Sequence, residues 1–369
     1  MTRMAIRPEL RALPAYRYTP HEQRIKLDQN ESPWDLPEAL RVRALERVAS
    51  AAFHRYPQLH AEGVAERIAA LEGWPVDGVV VAGGSNVLIQ AAVIAAGLGR
   101  EVLSVTPSFS VYALQARLLG ARLREVPLGP AFALPREELL GVLASGAGGV
   151  HFLAAPMAPT GNAVAADDVE ELARAGTGRW LSVVDEAYGP FAGSDFSSLA
   201  RSLEDVVSLR TLSKAYGLGG VRLGYALTTP RLAEQLRKAV MPFSVSALQA
   251  ALVETVLEER GYVSERIATI VSERERLLRE LRTRRYLEAF DSVTNFVLFR
   301  VADAAAIDAG LRARDVVIRR QDHLPGLTGC LRVSVGTRDE IDTFLAALDA
   351  SAHEAGLDSA MERNDHDDH

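Results

Sequence analysis

The sequence predicts an α/β fold with a mostly parallel sheet, and three observations support that prediction. From residue 78 to about residue 228, short apolar runs alternate with stretches of helical periodicity, which is the pattern of βαβ units. Runs such as "VVVA" and "FLAA" are apolar at every position, as in strands that helices cover on both faces. After residue 230 the chain is strongly helical and then mixed, which predicts a second, smaller α+β domain.

Seven apolar runs predict the seven strands of the larger sheet. In order, they are "GVVVAGG", "EVLSVTP", "ARLREVPL", "GVHFLAAP", "WLSVVDEAY", "DVVSLRTLS" and "VRLGYALT". Helices are predicted between several of them, as in "NVLIQAAVIAAGL" and "AADDVEELARAG". The runs "SVTNFVLFRV", "VVIRR" and "CLRVSVGT" predict strands of the smaller domain. We predict a large domain over 45–245, an N-terminal arm and small domain over 1–44 and 246–350, and a polar tail over 351–369.

Composition excludes several classes of function. The chain has 369 residues, 48% of them hydrophobic and 24% charged, and a net charge of −7 without a basic run, which argues against nucleic-acid binding. No apolar segment is long enough to span a bilayer, and the first twenty residues lack the apolar core of a secretion signal. Cys330 is the single cysteine, and the histidines lack ligand spacing, so we predict a cytoplasmic protein without a metal site.

Small residues at the end of the first predicted strand indicate an anion site. In a doubly wound sheet, ligands collect at the carboxyl ends of the strands. Gly84, Ser85 and Asn86 follow the first run and open a helix, so that backbone amides and the helix dipole favour negative charge there. Taken alone, Ser85 also suits an ordinary N-cap.

Reactive side chains follow three further strands. Phe109 comes after "VLSVTP", where it also suits a core position. Asp185 and Tyr188 come after "WLSVV", and Lys214 and Arg222 come after "VVSL". Each alone has an ordinary structural explanation, but together they match the needs of pyridoxal 5'-phosphate. Its aldehyde needs a lysine, its ring nitrogen needs an acid, and its phosphate needs amides, hydroxyls and an arginine.

The motifs of the chain resemble those of the fold type I pyridoxal-phosphate aminotransferases, and within them the histidinol-phosphate aminotransferases. The matching pieces are "NESP", "RYP", "GGSN", "TPSFSVY", "PTGN", "VVDEAYGPF", "RTLSKAYGLGGVRLGY", "NFVLFR" and "LRVSVGT". They run from about residue 27 to residue 337, nearly the whole chain. The resemblance implies a PLP-dependent transferase fold with a seven-stranded sheet, and a homodimer with shared sites.

The resemblance also implies a role for each site residue. Lys214 forms the Schiff base with the cofactor and then acts as base and acid. Asp185 pairs with the ring nitrogen, Tyr188 donates to the 3'-oxygen, and Phe109 stacks on the ring. Tyr56 of "RYP" reaches the cofactor phosphate of the neighbouring subunit. The phosphate is expected to be held by Gly84, Ser85, Asn86, Thr211, Ser213 and Arg222.

One position departs from the family pattern. Where the family has "NNPTG", this chain has "MAPTG", so Ala158 replaces the asparagine that donates to the 3'-oxygen. Asn162 lies beyond the turn and is not an obvious substitute. We expect Tyr188 to support the 3'-oxygen alone and the cofactor still to bind, since one hydrogen bond contributes about 0.5–1.5 kcal/mol.

Four residues are predicted to bind the substrate. Arg332 of "LRVSVGT" matches the family arginine that binds the substrate anion, and Arg319 of "VVIRR" matches the second arginine of the histidinol-phosphate branch. Arg320 competes with Arg319 for this assignment, because a slip of one residue turns a strand side chain to the other face. Tyr16 fits the aromatic residue that closes over the substrate, and Asn30 belongs to the "NESP" piece.

Three functional hypotheses remain open from the sequence. The first is amino transfer between L-histidinol phosphate and 2-oxoglutarate, giving imidazole acetol phosphate and glutamate for histidine biosynthesis. Two cations suit a phosphate dianion better than a carboxylate, which favours this hypothesis. The second is an aromatic or broad-range aminotransferase, or a relative of threonine-phosphate decarboxylase. The third is a cofactor-binding protein without turnover, for which Ala158 is the only hint.

Overall fold

The computed structural model describes residues 5–13 and 22–357, which form two β-sheets covered by helices. The strands are β1 (Ile25–Leu27), β2 (Val79–Ala82), β3 (Glu101–Thr106), β4 (Arg122–Pro127), β5 (Gly149–Ala154), β6 (Trp180–Asp185), β7 (Val206–Thr211), β8 (Gly224–Leu227), β9 (Leu287–Ala289), β10 (Phe296–Val301), β11 (Val316–Arg320) and β12 (Cys330–Ser334).

The α-helices surround these sheets. They are α1 (Pro8–Ala12), α2 (Glu38–Ala49), α3 (Glu62–Glu72), α4 (Ser85–Ala92), α5 (Ser110–Leu119), α6 (Arg136–Ser145), α7 (Ala166–Gly176), α8 (Gly189–Ala192), α9 (Ser197–Ser202), α10 (Pro230–Ala239), α11 (Ala247–Glu258), α12 (Gly261–Arg282), α13 (Ala304–Ala313) and α14 (Arg338–Glu354). A π-helical turn, Val93–Gly97, continues α4, and short 3-10 turns occupy Val76–Gly78 and Pro130–Phe132.

The seven predicted strands form the larger sheet, in the order β2-β8-β7-β6-β5-β3-β4. The five strands from β3 to β7 pair in parallel, and β8 runs antiparallel to both of its neighbours. Every residue of β5 and β6 is buried, because helices cover both faces of the sheet with separate apolar layers. The predicted α/β class with a mostly parallel seven-stranded sheet is therefore confirmed.

The smaller sheet has five strands in the order β1-β11-β12-β10-β9. The strands β10, β11 and β12 were predicted, and α12, α13 and α14 cover the sheet with a second apolar core. The strands β1 and β9 were not predicted, since three residues are too few to show a period. β1 pairs in parallel with β11. This pairing brings the segment after β1, residues 28–30, up to the small domain.

The packing of α11 bears on the domain boundary. Val253 and Val256 of this helix are buried in the core of the large sheet, where α11 packs against α2 and α3. We therefore propose that the large unit extends to about residue 258 rather than 245 and includes α2 from residue 38. At the other end, α14 continues to Glu354 with Ser351 and Ala352 buried, past the predicted start of the tail at 351.

A buried polar network fixes the ends of β6 and β7. Glu186 follows β6 and accepts hydrogen bonds from Ser208 Oγ (2.6 Å) and from the backbone N–H of Phe196 (2.8 Å). Arg210 of β7 pairs with Glu72 of α3, with Nη1 2.8 Å from the carboxylate. Because these groups lie next to Asp185 and Thr211 in the chain, the network holds the strand ends that carry the site.

No helix within residues 5–13 and 22–357 is long and apolar enough to cross a membrane.

One buried arginine ties the two domains together and gives a stability prediction. Arg274 of α12 donates to the carbonyls of Phe191 (3.3 Å) in the large domain and Thr294 (3.2 Å) in the small domain. Arg274→Met removes both hydrogen bonds, which Nη1 donates, and leaves two buried carbonyls without this partner, so it should destabilise the protein by about 1–3 kcal/mol. The measurement is the midpoint of urea unfolding. Arg279→Met, at an exposed position of the same helix, is the matched control and should change the midpoint little.

Candidate active site

A cavity of about 320 Å³ lies between the carboxyl ends of β5, β6 and β7, the start of α4, and the small-domain strands β11 and β12. It brings together most of the residues that the sequence predicted for the site. Those that line it are Asn30, Ser85, Asn86, Phe109, Asp185, Tyr188, Thr211, Ser213, Lys214, Arg222, Arg319 and Arg332. The structure therefore gathers at one place the residues that follow successive strands of the sheet.

Lys214 lies between the large sheet and the segment after β1. Its Nζ donates a hydrogen bond to the backbone carbonyl of Gln29 (2.8 Å) and lies 5.9 Å from the ring centroid of Tyr188. Burial lowers the pKa of the Lys214 amine to about 7, and the positive charges of Arg332 and Arg222 act in the same direction. About half of these amines are therefore neutral near pH 7, which is the form that attacks an aldehyde.

Asp185, at the end of β6, is a buried carboxylate with two protein partners. Its Oδ2 accepts a hydrogen bond from the hydroxyl of Tyr112 (2.6 Å), and its Oδ1 accepts one from the backbone N–H of Ala187 (3.1 Å). Burial raises the pKa of Asp185, while these two hydrogen bonds favour the ionised form. Tyr112 stacks on Phe152 with ring centroids 4.7 Å apart, so its hydroxyl is held in place.

The start of α4 forms a cradle for an anion. Gly84 is the N-cap residue and no side chain caps the first turn, so Ser85 is not the N-cap. The φ of Gly84 is +100°, a conformation that glycine adopts without strain, and a Cβ there would lie only 2.7 Å from Nη2 of Arg222 and would displace this guanidinium. Nη1 of Arg222 also donates to Ser213 Oγ (3.2 Å). Backbone amides, a hydroxyl and a guanidinium thus converge beside the cavity.

The small domain contributes two arginines on one face. Arg319 of β11 and Arg332 of β12 lie directly opposite each other in the antiparallel pair, and both line the cavity. Two like charges at directly opposed positions destabilise a sheet, and an anion between them removes the repulsion. Arg320 does not line the cavity and pairs instead with Asp322 at the surface (Nη2–Oδ2 2.5 Å). Of the two arginines between which the sequence left the choice, only Arg319 lines the cavity.

Ala158, which stands where the family pattern has asparagine, belongs to a segment that lines the cavity. Ala158 and Pro159 line the cavity wall. Asn162 does not: it accepts a hydrogen bond from Thr160 Oγ1 (2.6 Å) and donates to the carbonyl of Phe132 (3.3 Å). The amide of Asn162 is therefore committed elsewhere and does not replace the missing asparagine.

One predicted residue, Tyr56, lies away from the cavity. Tyr56 does not line it; the side chain is 84% exposed and packs on Phe243 with ring centroids 5.1 Å apart. Tyr16 lies outside the described residues. Conversely, sequence reasoning missed Tyr112 as the partner of Asp185, although the residue lies in the quoted "TPSFSVY" piece. It also missed Gln321 and His323, which line the cavity from the loop between β11 and β12.

The family model for "Aminotransferase class I and II" matches residues 22–348 of the chain. The chain belongs to this family. Histidinol-phosphate aminotransferase of Deinococcus radiodurans is 44% identical over 344 residues, covering 93% of this chain and 95% of that protein. The enzyme with the same name from Thermococcus kodakarensis is 38% identical over 353 residues, covering 95% of this chain and all of that protein. The predicted family and the predicted enzyme class are confirmed.

Solved structures support the fold. Histidinol-phosphate aminotransferase from Sinorhizobium meliloti, in complex with pyridoxal-5'-phosphate, matches with a TM-score of 0.86 at 24% identity, covering 96% of this chain and 99% of that chain. L-threonine-O-3-phosphate decarboxylase from Porphyromonas gingivalis matches with a TM-score of 0.76 at 18% identity, covering 88% and 98%. At these identities the matches show the fold alone, and the fold is shared by a transferase and a decarboxylase.

The residues of the cavity fit pyridoxal 5'-phosphate, the cofactor of this aminotransferase family. The cavity offers a desolvated lysine amine, a buried carboxylate, and an uncapped helix start beside Arg222, whose guanidinium a Cβ at Gly84 would displace. These are the groups that the aldehyde, the ring nitrogen and the phosphate require.

Among residues 5–13 and 22–357, no group of three His, Cys, Asp or Glu side chains is placed to hold a metal ion.

The cradle can be tested by adding one methyl group. Gly84→Ala should displace the guanidinium of Arg222 and raise the Kd of pyridoxal 5'-phosphate by about 10- to 100-fold, because a charge-assisted hydrogen bond is lost. Gly220→Ala is the matched control, since a Cβ there meets nothing within 4 Å. The measurement is a fluorescence titration of cofactor-free enzyme. Equal Kd values for the two variants would contradict the assignment of the cradle.

The lowered pKa of Lys214 gives a pH prediction. Below about pH 7 the amine is protonated and unreactive, and above it the amine is neutral. Competitive acetylation of the cofactor-free enzyme, with peptides quantified by mass spectrometry, should therefore give a midpoint near 7 for Lys214. The exposed Lys238 serves as the reference amine for reagent reactivity. A midpoint near 10.4, the ordinary value for a lysine, would show that the site does not desolvate this amine.

Proposed function

We propose that this protein transfers the amino group of L-histidinol phosphate to 2-oxoglutarate, with pyridoxal 5'-phosphate bound to Lys214. The products are imidazole acetol phosphate and glutamate, as in histidine biosynthesis. Family membership makes the protein an aminotransferase. The substrate assignment follows the names of relatives that are 44% and 38% identical over more than nine-tenths of the chain.

One structural observation supports a phosphorylated substrate. Arg319 and Arg332 lie directly opposite each other and both line the cavity, apart from the cradle at Gly84 and Arg222. Arg332 donates to the carbonyl of Asp28 (3.0 Å), which fixes its position at the cavity wall. The site therefore has one cationic group for the cofactor phosphate and a second, doubly charged one for the substrate phosphate.

The mechanism divides the chemistry among the residues of the cavity. When bound, pyridoxal 5'-phosphate supplies an electron-accepting ring that stabilises negative charge on the reacting carbon of the substrate. Lys214 takes the proton from the substrate carbon that bears the amino group, a task that suits an amine with a pKa of about 7. Asp185, oriented by Tyr112, would pair with the ring nitrogen of the bound cofactor and favour its protonated form. Arg319 and Arg332 orient the substrate through its phosphate.

The other hypotheses are less well supported. The relatives described above carry the name of histidinol-phosphate aminotransferase, and neither a broad-range aminotransferase nor a decarboxylase has an observation of this chain in its favour. Against a protein without turnover, the cavity keeps the lysine, the carboxylate, the cradle and the arginine pair together. Ala158, the only hint toward that hypothesis, removes one hydrogen bond and leaves the rest of the site intact.

A substrate panel with matched variants tests the proposal. Glutamate should form from 2-oxoglutarate with L-histidinol phosphate and far less with L-histidinol, which lacks the phosphate. Arg319→Met should lower kcat/KM for L-histidinol phosphate about 10- to 100-fold, because it removes a charge-assisted hydrogen bond. Arg320→Met, one residue along and paired outside the cavity, is the control and should change kcat/KM less than about twofold. Carbon dioxide release from a phosphorylated amino acid would instead favour the decarboxylase.

We also propose that the protein is a homodimer in which Tyr56 completes the neighbouring site. Exposed apolar side chains cluster near this residue: Phe53 is 72% exposed and Met241 is 74% exposed. The backbone N–H of Phe243 donates to the carbonyl of Leu59 (3.1 Å), which joins the two loops into one surface. A second copy of the chain would cover this apolar surface.

A cytoplasmic location stays a prediction.

Subunit mixing tests the shared site. Lys214→Ala and Tyr56→Phe should each be impaired alone, but in a mixed dimer one of the two sites has both an intact Lys214 and the partner's intact Tyr56. Each mixed dimer should therefore have about half of the activity of a wild-type dimer. A 1:1 mixture exchanged through mild denaturation should recover about a quarter of the wild-type activity, because about half of its dimers are mixed. Light scattering should give twice the mass of one chain, and Met241→Asp should shift the protein toward the monomer. Without recovery on mixing, the sites are not shared.

A further inference from the structure

Asn30 forms a buried hydrogen bond with Tyr188, and both residues line the cavity. Asn30 is 1% exposed and its Nδ2 donates to the hydroxyl of Tyr188 (2.8 Å). Its φ is +53°, a conformation that asparagine adopts more readily than most residues. The sequence predicts Asn30 as a substrate-binding residue, and in the structure it lines the cavity while its amide contacts Tyr188.

The orientation of the Asn30 amide is held by the small domain. Ser334 Oγ of β12 donates to Asn30 Oδ1 (3.2 Å) and accepts from the backbone N–H of Asn30 (2.8 Å). Asn295 Nδ2 donates to the carbonyl of Asn30 (3.1 Å). Because Oδ1 points to Ser334, Nδ2 points to Tyr188, so the tyrosine hydroxyl accepts from Asn30 and keeps its own proton for another acceptor.

The hydroxyl proton of Tyr188 can be donated into the cavity, which this residue lines. Tyr188 lines the cavity and its ring packs edge-on against Phe296, with centroids 5.1 Å apart, so the hydroxyl cannot swing freely. Burial raises the pKa of Tyr188, which keeps the hydroxyl protonated. The side chain of Ala158, on the same wall, has no donor, and the side chain of Asn162 is bonded elsewhere.

We propose that Asn30 is a positioning residue that directs the hydroxyl proton of Tyr188 toward the 3'-oxygen of the cofactor, and that Tyr188 is the donor on which this oxygen depends because Ala158 supplies none. The inference rests on the proposed function, since it requires pyridoxal 5'-phosphate bound at Lys214. Through this contact the small domain would influence the cofactor ring, because its residues Ser334 and Asn295 hold Asn30 in place.

The test is a spectroscopic pH titration of the cofactor-loaded enzyme. A donor to the 3'-oxygen stabilises its negative charge and lowers the pKa of the absorbance change of the lysine-bound cofactor. Tyr188→Phe and Asn30→Gly should each raise this pKa by about half to one unit, the shift that one ordinary hydrogen bond gives. Glycine is chosen because it tolerates the φ of +53° and keeps the backbone N–H that bonds Ser334.

A double-mutant cycle separates positioning from a general structural effect. In the Tyr188→Phe background, Asn30→Gly should cause no further rise of the spectroscopic pKa, because its effect passes through the missing hydroxyl. In the Asn30→Gly background, Ala158→Asn should lower the pKa again by restoring a donor. An unchanged or lowered pKa in Asn30→Gly, or an undiminished effect of Asn30→Gly in the Tyr188→Phe background, would overturn the inference.

The outcome also distinguishes this inference from the proposed function. If the purified enzyme binds no cofactor at Lys214, no titration is seen in any variant and the proposed function fails. If the enzyme loads and Tyr188→Phe shifts the pKa while Asn30→Gly does not, only the positioning role of Asn30 fails. The Kd of pyridoxal 5'-phosphate, measured on the same variants, shows whether the loaded fraction is the same in each titration.

Discussion

The site depends on one constraint: the amine of Lys214 is buried next to other positive charges. Burial, Arg332 and Arg222 together lower its pKa to about 7. An exposed lysine has a pKa near 10.4, so almost none of it would be neutral at pH 7. Arg332 and Arg222, whose charges contribute to this shift, are also the residues that we propose to bind phosphate groups. In the cofactor-free enzyme, the positive charges that would attract a phosphate group are therefore the charges that favour a neutral amine at Lys214.

The two domains both contribute to this environment through three consecutive residues. The carbonyl of Asp28 accepts from Arg332, the carbonyl of Gln29 accepts from Lys214, and the side chain of Asn30 donates to Tyr188. The segment is held in place because β1 pairs with β11 of the small sheet. A movement of the small domain would thus change the contacts of the Lys214 amine and of the Tyr188 hydroxyl together.

The large sheet and most of the site were predictable from the sequence, for a clear physical reason. Most of its strands are rich in apolar residues, and a parallel sheet places the residues after its strands at one edge. Asp185 and Lys214 therefore meet although they are far apart in the chain. The strands β1 and β9 are too short to show a period. The partner of Asp185 could not be read either, because Tyr112 looks like any buried aromatic residue until the distance to the carboxylate is known. The sequence could not show that Arg319 rather than Arg320 lies on the cavity face, because this depends on the register of the pairing between β11 and β12.

The chain contains three lysines, Lys26, Lys214 and Lys238, so the central claim has a direct chemical test. Borohydride reduction of enzyme loaded with pyridoxal 5'-phosphate fixes the cofactor to the lysine that holds it, and peptide mass spectrometry then identifies that lysine. The account predicts a pyridoxyl group on Lys214 and on neither of the other two. A modified Lys26 or Lys238 with an unmodified Lys214, or no adduct on any lysine, would contradict it.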